Sequence, residues 1–409
     1  MKRQNALSPS IPYPQAEHDR ARLVLMHVPE DELAYGSLHP EAALFRSAID
    51  IRSAQKEHVQ LQRILEDAGC RIVTLREILL RGCVDHTGQW IESTETDGLR
   101  KLARLSLTYT DGGGMSQSLL RQEKDKYINT FSPNALVRIL IQRPKLALRK
   151  VNFNTGIEAQ YNLQPLMNLY YTRDQVITTA RGPILCRMHS EQRQNECALV
   201  AFCLTKLGYP PIHRITGEGA FIEGGDYIPM RDFDLIGCGL RTTMPAIEQL
   251  MDRDLLGKDM LVVVHDRRLQ QAQMHLDTYF GIADADLALM SAARIQAAAN
   301  DDAYLNVTIY AREDAQHPYR KVAADKSFGE FLREQGIRVV AVAEEDCHRL
   351  ATNFLCIGPR EIVLVSGLSE GLIRTLRDLG VKIHTARIPN LMHGYGAVHC
   401  MTQVLLRER

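Results

Sequence analysis

The sequence lacks the features that would place the protein in a membrane or on nucleic acid. Its 409 residues carry 49 basic and 49 acidic side chains, so no overall charge favours nucleic acid or an anionic membrane surface. No apolar run approaches the roughly 18 residues of a membrane-spanning helix. The nine cysteines include no C-x-x-C pair, and their odd number argues against a disulfide framework. We therefore predict a cytoplasmic protein with reduced thiols and with neither a nucleic-acid nor a membrane partner.

An apolar stretch is also missing from the N-terminal segment. This N-terminal segment begins MKRQNALSPSIPYPQ, which is basic, polar and rich in proline. A secretory signal peptide needs an apolar core after its basic start. We therefore predict that residues 1–18 form a flexible arm.

From residue 19 onward the sequence repeats a pattern of two strands, a helix and a further strand. Pairs of strands are predicted over 175–188, 275–290 and 353–365, and 369–386 is predicted to be a helix followed by a strand. A ring of such α/β units would place one end of every unit around a shared centre. We therefore predict one catalytic α/β domain over residues 19–409.

Residues 78–150 break this pattern. They contain no convincing strands, and DGLRKLARLSL, SQSLLRQEKDKYI and NALVRILIQRP have the spacing of short helices. We therefore predict a helical insertion over about 78–150.

Four short stretches near predicted strand ends carry the residues that could perform chemistry. They are NLYYTRD with Asn168, Arg173 and Asp174, EGGD with Glu223 and Asp226, HLD with His275 and Asp277, and HC with His399 and Cys400. Each stretch alone also has an ordinary structural explanation, such as a turn, a surface ion pair or a buried thiol. If HLD lies in a strand, its two charged residues face the same side of the sheet.

Together these stretches offer a thiol, an imidazole and several carboxylates. A thiol with a histidine indicates covalent catalysis, but a papain-like site needs no group of carboxylates. Carboxylates would raise the pKa of the thiol and repel its thiolate unless the substrate is a cation. A guanidinium group pairs with carboxylates through two parallel hydrogen bonds and would stabilise the thiolate. The set therefore predicts a guanidine-bearing substrate that is attacked at its central carbon.

A metal site is the alternative chemistry. His265, Asp266, His275 and Asp277 could supply ligands, although their spacing matches no characteristic metal motif.

The motifs NLYYTRD, EGGD, MHLDT and HCMT, in this order and spacing, resemble arginine deiminases and the wider guanidino-group-modifying (pentein) superfamily. The resemblance extends from about residue 20 to the end and includes LMHVPEDELAY, LFRSAIDIRSAQKEH and ATNFLCI. It implies a five-bladed α/β propeller of ββαβ units with a helical insertion. It implies neither a metal nor an organic cofactor.

The resemblance also assigns roles to the matching residues. Cys400 corresponds to the nucleophile, and His275 to the general acid and base with Glu223 beside it. Asp174 and Asp277 correspond to the carboxylates that hold the guanidinium. The other matches are Asn168, Arg193 and Arg241 for the amino-acid end of the substrate, Asp226 as support for the EGGD loop, and Tyr171 where many members have phenylalanine.

The implied reaction is hydrolysis of L-arginine to L-citrulline and ammonia through an amidino-cysteine intermediate. Three alternatives stay open: an arginine dihydrolase that continues to ornithine, an amidinotransferase, and a non-enzymatic arginine sensor. The loop MHGYGAVHC departs from the family at Tyr395 and Val398, which bears on substrate identity more than on reaction class. The sequence also leaves a homo-oligomer open.

Overall fold

The computed structural model describes residues 16–409. This part of the chain contains twenty strands and twelve α-helices. The strands are β1 (Arg20–Met26), β2 (Arg71–Thr74), β3 (Thr108–Gly113), β4 (Pro144–Lys150), β5 (Ile157–Leu163), β6 (Val176–Thr179), β7 (Gly182–Leu185), β8 (His213–Arg214), β9 (Tyr227–Pro229), β10 (Asp234–Cys238), β11 (Met260–His265), β12 (Phe280–Asp284), β13 (Leu287–Ser291), β14 (Asn306–Ala311), β15 (Arg320–Ser327), β16 (Arg338–Val342), β17 (Leu355–Gly358), β18 (Glu361–Val365), β19 (Lys382–Ala386) and β20 (Gln403–Glu408). The helices are α1 (Glu32–Ser37), α2 (Ile51–Asp67), α3 (Leu75–Leu80), α4 (Thr94–Ser106), α5 (Gln117–Ile128), α6 (Pro133–Gln142), α7 (Gln194–Leu207), α8 (Met244–Asp252), α9 (Ala292–Gln296), α10 (Phe328–Glu334), α11 (Glu344–His348) and α12 (Glu370–Asp378). Among these helices, none combines the length and the apolarity that crossing a membrane requires.

The predicted repeat of two strands, a helix and a strand occurs five times. In each unit a middle strand pairs with one antiparallel and one parallel neighbour, and a helix lies in the chain between the middle and the parallel strand. The units are β20–β1–β2, β6–β7–β8, β9–β10–β11, β12–β13–β16 and β17–β18–β19. The first unit joins the two ends of the described chain, and β14 and β15 extend the sheet beyond β11.

The sequence produces these units through two hydrophobic patterns. Middle strands such as β13 and β18 are buried at every position, which is why they consist largely of apolar residues. Helix α2 instead buries one face, through Ala54, Leu61 and Leu65, and exposes the other. The Asp50 carboxylate accepts a hydrogen bond from the Ser53 amide and caps its first turn.

The segment between β2 and β6 differs from its prediction. It contains the expected helices α4, α5 and α6, but β3, β4 and β5 form a three-stranded sheet of their own. The prediction that residues 78–150 hold no strands was therefore wrong. These strands have no continuous apolar run because most of their side chains are exposed or only half-buried, as in β5.

The N-terminal prediction needs a correction as well. Residues 1–15, most of the predicted arm, lie outside the described residues. Ala16, Glu17 and His18 are buried, so the arm was extended too far by these three residues. The Glu17 amide donates to the Pro229 carbonyl, and the Glu17 carboxylate pairs with the guanidinium of Arg407.

Candidate active site

The candidate catalytic residues occupy equivalent places in the five units. Each lies in the short segment that precedes the first strand of its unit: Cys400 before β20, Asp174 before β6, Glu223 before β9, His275 and Asp277 before β12, and Asn353 before β17. A narrow cavity of about 20 Å³, room for one or two water molecules, lies among these segments. Seven predicted site residues line it: Asn168, Tyr171, Asp174, Arg193, Arg241, His275 and Cys400. Glu223, Asp226 and Asp277 are buried directly behind this lining.

His275 lies between two carboxylates. Its Nε2 is 2.9 Å from Glu223 Oε2, and its Nδ1 is 3.8 Å from Asp174 Oδ1. Burial alone would lower the pKa of His275, but the Asp174 charge and the hydrogen bond to Glu223 outweigh burial and raise it to about 10. The imidazole is therefore protonated at neutral pH and can donate a proton.

The prediction for HLD was wrong about local structure, and of its two charged residues His275 lines the cavity whereas Asp277 lies behind the lining. His275 precedes a short 3₁₀ turn, Leu276–Thr278, and Asp277 lies within it, so neither residue belongs to a strand. His275 contacts Glu223, whereas Asp277 accepts a hydrogen bond from His399 Nδ1 at 2.7 Å. Asp226 holds this turn in place because it accepts hydrogen bonds from the Leu276 amide and the Thr242 hydroxyl.

The thiol of Cys400 faces negative charge. Its Sγ is 3.5 Å from Asp277 Oδ2, and the side chain is 5% exposed. Burial, followed by the charges of Asp277 and Asp174, raises the pKa of this thiol well above its ordinary value. The free protein therefore holds Cys400 as a thiol at neutral pH, and a bound cation would favour the thiolate.

This electrostatic setting predicts how Cys400 reacts with iodoacetamide, which alkylates only the thiolate. We expect slow alkylation at neutral pH and an alkylation rate that increases as the pH is raised. Asp277→Asn removes the nearest negative charge, so its thiol is expected to react roughly tenfold faster at the same pH. Mass spectrometry of the Cys400 peptide measures both rates, with Asp286→Asn on an exposed turn as the matched control. A pH-independent rate in the wild type would contradict this account.

Asn353 is a site residue that the sequence analysis did not identify. Its Nδ2 lies 3.1 Å from Cys400 Sγ, and its Oδ1 accepts hydrogen bonds from the amides of Ala397 and Cys400. One amide side chain therefore fixes the backbone before Cys400 and donates to its sulfur. The motif ATNFLCI contains Asn353, but asparagine is so common in loops that its type alone gave no signal.

A second buried network supports Asp277 from behind. His399 lies between the carboxylates of Asp277, at 2.7 Å, and Glu17, at 3.4 Å. Although burial raises the pKa of Asp277, the hydrogen bond and the charge of His399 outweigh it and lower that pKa. Arg173 and Arg407 offset the charge of Glu17.

Arg193 and Arg241 both line the cavity, but they have different partners. The Arg241 guanidinium donates to Gln271 at 2.7 Å. Arg193 Nη1 donates to Asp174 Oδ2 at 2.8 Å, and its Nε and Nη2 donate to Glu196 at 3.2 and 2.9 Å. Its guanidinium therefore occupies the carboxylate end of the site.

Asn168 and Tyr171 build the wall of the cavity. Asn168 Nδ2 donates to the Ala43 carbonyl at 3.1 Å, while the backbone carbonyl oxygen of Asn168 lies 3.5 Å from Arg193 Nη2. The Tyr171 hydroxyl accepts a hydrogen bond from the Gly396 amide at 3.1 Å and so contacts the loop before Cys400.

The glycines of the GYGAVHC loop are required by close packing. A methyl group on Gly396 would lie 2.7 Å from Tyr171 Cε1 and 3.0 Å from Cys400 Sγ. One on Gly394 would lie still closer to the Tyr171 hydroxyl. The loop therefore lies flat against Tyr171, beside the thiol.

We expect Gly396→Ala to destabilise the protein by about 1–3 kcal/mol, because the added methyl must displace a buried ring or the thiol. Gly371→Ala is the matched control, since a methyl group there meets nothing within 4 Å in helix α12. That variant is expected to gain about 0.5–1 kcal/mol from helix propensity. Urea unfolding of both variants measures the difference, and equal stabilities would contradict the packing argument.

Metal ligation can be tested against the same geometry. Among residues 16–409, one group of side chains could surround an ion, namely Asp174, Glu223 and His275, whose ligand atoms lie within 4.8 Å of one another. Arg193 Nη1 already lies 2.8 Å from Asp174 and 3.9 Å from Glu223, so an internal cation balances this group. The alternative set is not gathered, because His265 contacts Thr308 and Asp266 pairs with Arg294.

Comparisons with known proteins agree on one family. The family described as "Arginine deiminase" matches residues 41–407. The arginine deiminase of Halobacterium salinarum is 24% identical over 96% of each chain. That of Listeria monocytogenes EGD-e is 25% identical over 96% of this chain and 97% of the relative.

Solved structures show a likeness in fold. A DDAH from Pseudomonas aeruginosa in complex with citrulline aligns over 95% of this chain and 100% of its own, with a TM-score of 0.55 and 14% identity. The amidinotransferase SxtG from Microseira wollei aligns over 98% of both chains, with a TM-score of 0.56 and 11% identity. The mixed α/β fold therefore has its structural neighbours among the penteins.

Proposed function

The chain belongs to the arginine deiminase family, and from this premise we propose that it hydrolyses L-arginine to L-citrulline and ammonia. One observation carries the proposal. Asp174 Oδ1 and Asp277 Oδ1 are buried and have no hydrogen-bond partner among the described residues. Buried carboxylate oxygens normally accept hydrogen bonds. A guanidinium supplies planar N–H donors and a positive charge, which satisfies both oxygens and stabilises the Cys400 thiolate.

Arginine binding requires a rearrangement, because the Arg193 guanidinium already occupies Asp174. In the proposed complex the substrate guanidinium takes over this carboxylate. Arg193 then turns towards Arg241, and together with Asn168 these side chains bind the α-carboxylate. A substrate that carries its own carboxylate thus offers Arg193 a new partner and avoids leaving a buried charge unpaired.

The first half of the proposed reaction ends with the release of ammonia. The thiol gives its proton to solvent as the guanidinium binds, and the thiolate forms a bond to the guanidino carbon. The resulting tetrahedral adduct is neutral. Protonated His275 gives its proton to the departing nitrogen, the C–N bond breaks, and ammonia leaves behind a cationic amidino-cysteine.

The second half regenerates the enzyme. Neutral His275 accepts a proton from a water molecule whose oxygen attacks the same carbon. The C–S bond of the second adduct then breaks, which releases protonated citrulline and the thiolate. Citrulline gives its extra proton to ammonia, which becomes ammonium, and the thiolate regains a proton from solvent. Glu223 stabilises the imidazolium in both halves through its hydrogen bond at 2.9 Å.

We also propose that the five units form a five-bladed propeller and that residues 16–409 are one catalytic domain with an inserted segment. Contacts between neighbouring units support this arrangement: β1 contacts β17, β12 contacts β17, and β20 contacts β6. The convergence of the segments before β6, β12 and β20 on one cavity supports it too. A cytoplasmic location and homo-oligomer formation stay predictions. All nine cysteines lie within the described residues and are free.

The decisive experiment is a product analysis. Purified protein is incubated with L-arginine, and citrulline, ornithine and ammonium are quantified. Equal amounts of citrulline and ammonium are the expected result. Ornithine with two equivalents of ammonium would replace the proposal by a dihydrolase, and an amidino group found on an added amine would replace it by an amidinotransferase. Absence of all products would contradict it.

A further inference from the structure

A basic cavity adjoins the turn that covers the catalytic cavity. It has a volume of about 360 Å³, far larger than the catalytic cavity. Its lining includes three arginines and a histidine, namely Arg46, Arg349, Arg387 and His393, and no carboxylate. Ser366 adds a hydroxyl group, and Met392 belongs to its apolar part.

The positive charge of this cavity is a local feature, because the whole chain is neutral. The carboxylate of Glu345, itself exposed, partly offsets Arg349 at 3.2 Å. The Arg46 guanidinium donates to the His348 carbonyl at 3.4 Å and has no ion pair among the described residues. The Arg387 guanidinium has no ion pair within the described residues, although its charge slightly counters the rise that burial causes in the pKa of Glu57. Like charges gathered around a cavity repel one another, whereas guanidinium groups bind phosphate and carboxylate oxygens strongly.

This basic cavity shares a backbone segment with the catalytic site. The Arg46 guanidinium stacks on the Tyr395 ring at 4.7 Å, and the Arg46 amide donates to the His393 carbonyl. His393 belongs to the 3₁₀ turn Leu391–Gly394, and Tyr395 follows it with a left-handed φ of 69°. Gly394, Tyr395 and Gly396 in turn line the catalytic cavity.

We propose that the basic cavity binds a small oxyanion, a metabolite bearing phosphate or carboxylate groups, and that its occupancy changes the access of small molecules to Cys400. An anion attracts the Arg46 guanidinium and competes with the Tyr395 ring for it. The turn that covers the catalytic cavity therefore responds to binding. This inference is independent of the reaction proposed above, because it concerns a separate cavity and the reactivity of a thiol.

Calorimetric titration tests the site. Inorganic pyrophosphate and citrate are titrated separately into the full protein at constant ionic strength, which distinguishes phosphate from carboxylate chemistry. We expect saturable binding of at least one anion, weakened about tenfold or more by Arg387→Gln. Arg253→Gln, which changes the same charge at an exposed position in another unit, is expected to bind as the wild type does. No saturable binding, or equal binding by all three proteins, would overturn the site.

Alkylation tests the coupling without any need for turnover. Iodoacetamide modification of Cys400 is followed by mass spectrometry with and without the anion that binds. We expect a change of about fivefold in the wild type and in Arg253→Gln, and a much smaller one in Arg387→Gln at the same anion concentration. An unchanged rate in wild-type protein saturated with anion would overturn the coupling. The calorimetric titration and the alkylation rates can both be interpreted even if the protein does not convert arginine.

Discussion

Cys400→Ala is expected to form no citrulline above background, a loss of roughly 10⁴-fold or more in kcat. The variant keeps the cavity but removes the thiol whose sulfur lies 3.5 Å from Asp277 Oδ2. Among the residues that line this cavity, Cys400 supplies the only thiol, and we expect that thiol to form the bond to the guanidino carbon. Citrulline measured at saturating arginine over a long incubation gives the result.

Cys347→Ala is the control for this loss. Cys347 is half-buried, lies outside the lining of the catalytic cavity, and its Sγ contacts the Val342 carbonyl. Its substitution is expected to leave kcat unchanged. Residual turnover of Cys400→Ala at a tenth of the wild-type rate would show that covalent catalysis does not proceed through this thiol.

Asp174→Asn is expected to lower kcat/KM by roughly 10³-fold, because a buried charge that pairs with a cation is replaced by a neutral amide. The carboxylate now pairs with Arg193 and lies 3.8 Å from His275. Its loss therefore weakens the proposed guanidinium contact and also lowers the pKa of His275. We expect a reduced kcat as well as a raised KM, measured from initial rates over a range of arginine concentrations.

Folding is expected to survive this substitution, since Arg193 keeps its hydrogen bonds to Glu196. A melting curve checks that point. Asp286→Asn, which removes an exposed partner of Arg360, supplies the matched control with normal kinetics. Wild-type kcat/KM in Asp174→Asn would exclude Asp174 from the substrate contact.

The fold could be predicted where buried strands produce continuous apolar runs in the sequence. Strands such as β13 and β18 are buried throughout, and their apolar runs indicated strands directly. The sheet of β3, β4 and β5 has no such apolar runs, because most of its side chains are exposed or half-buried. Apolar and polar residues also alternate only weakly along its strands. The burial of Glu17 was equally hidden, since it depends on Arg407 at the other end of the chain.

The site could be predicted where short motifs hold the reactive side chains together. EGGD and HLD gave Glu223 and His275, which the fold brings to 2.9 Å. The position of Arg193 could not be derived in this way. A long, flexible side chain can reach several partners, and its choice of Asp174 over the Arg241 end is decided only by the packed structure.

The unit β20–β1–β2 has a consequence for how the protein is made. Its antiparallel pair joins Arg20 to Glu408 and Leu25 to Gln403, so the first strand finds its partner only after the residues between β1 and β20 have been synthesised. Contacts of such large sequence separation form slowly. Until then β1 exposes an unpaired edge, and a chaperone that holds this strand during synthesis is expected to raise the yield of folded protein. Because Cys400 lies directly before β20, chains released early lack the nucleophile altogether.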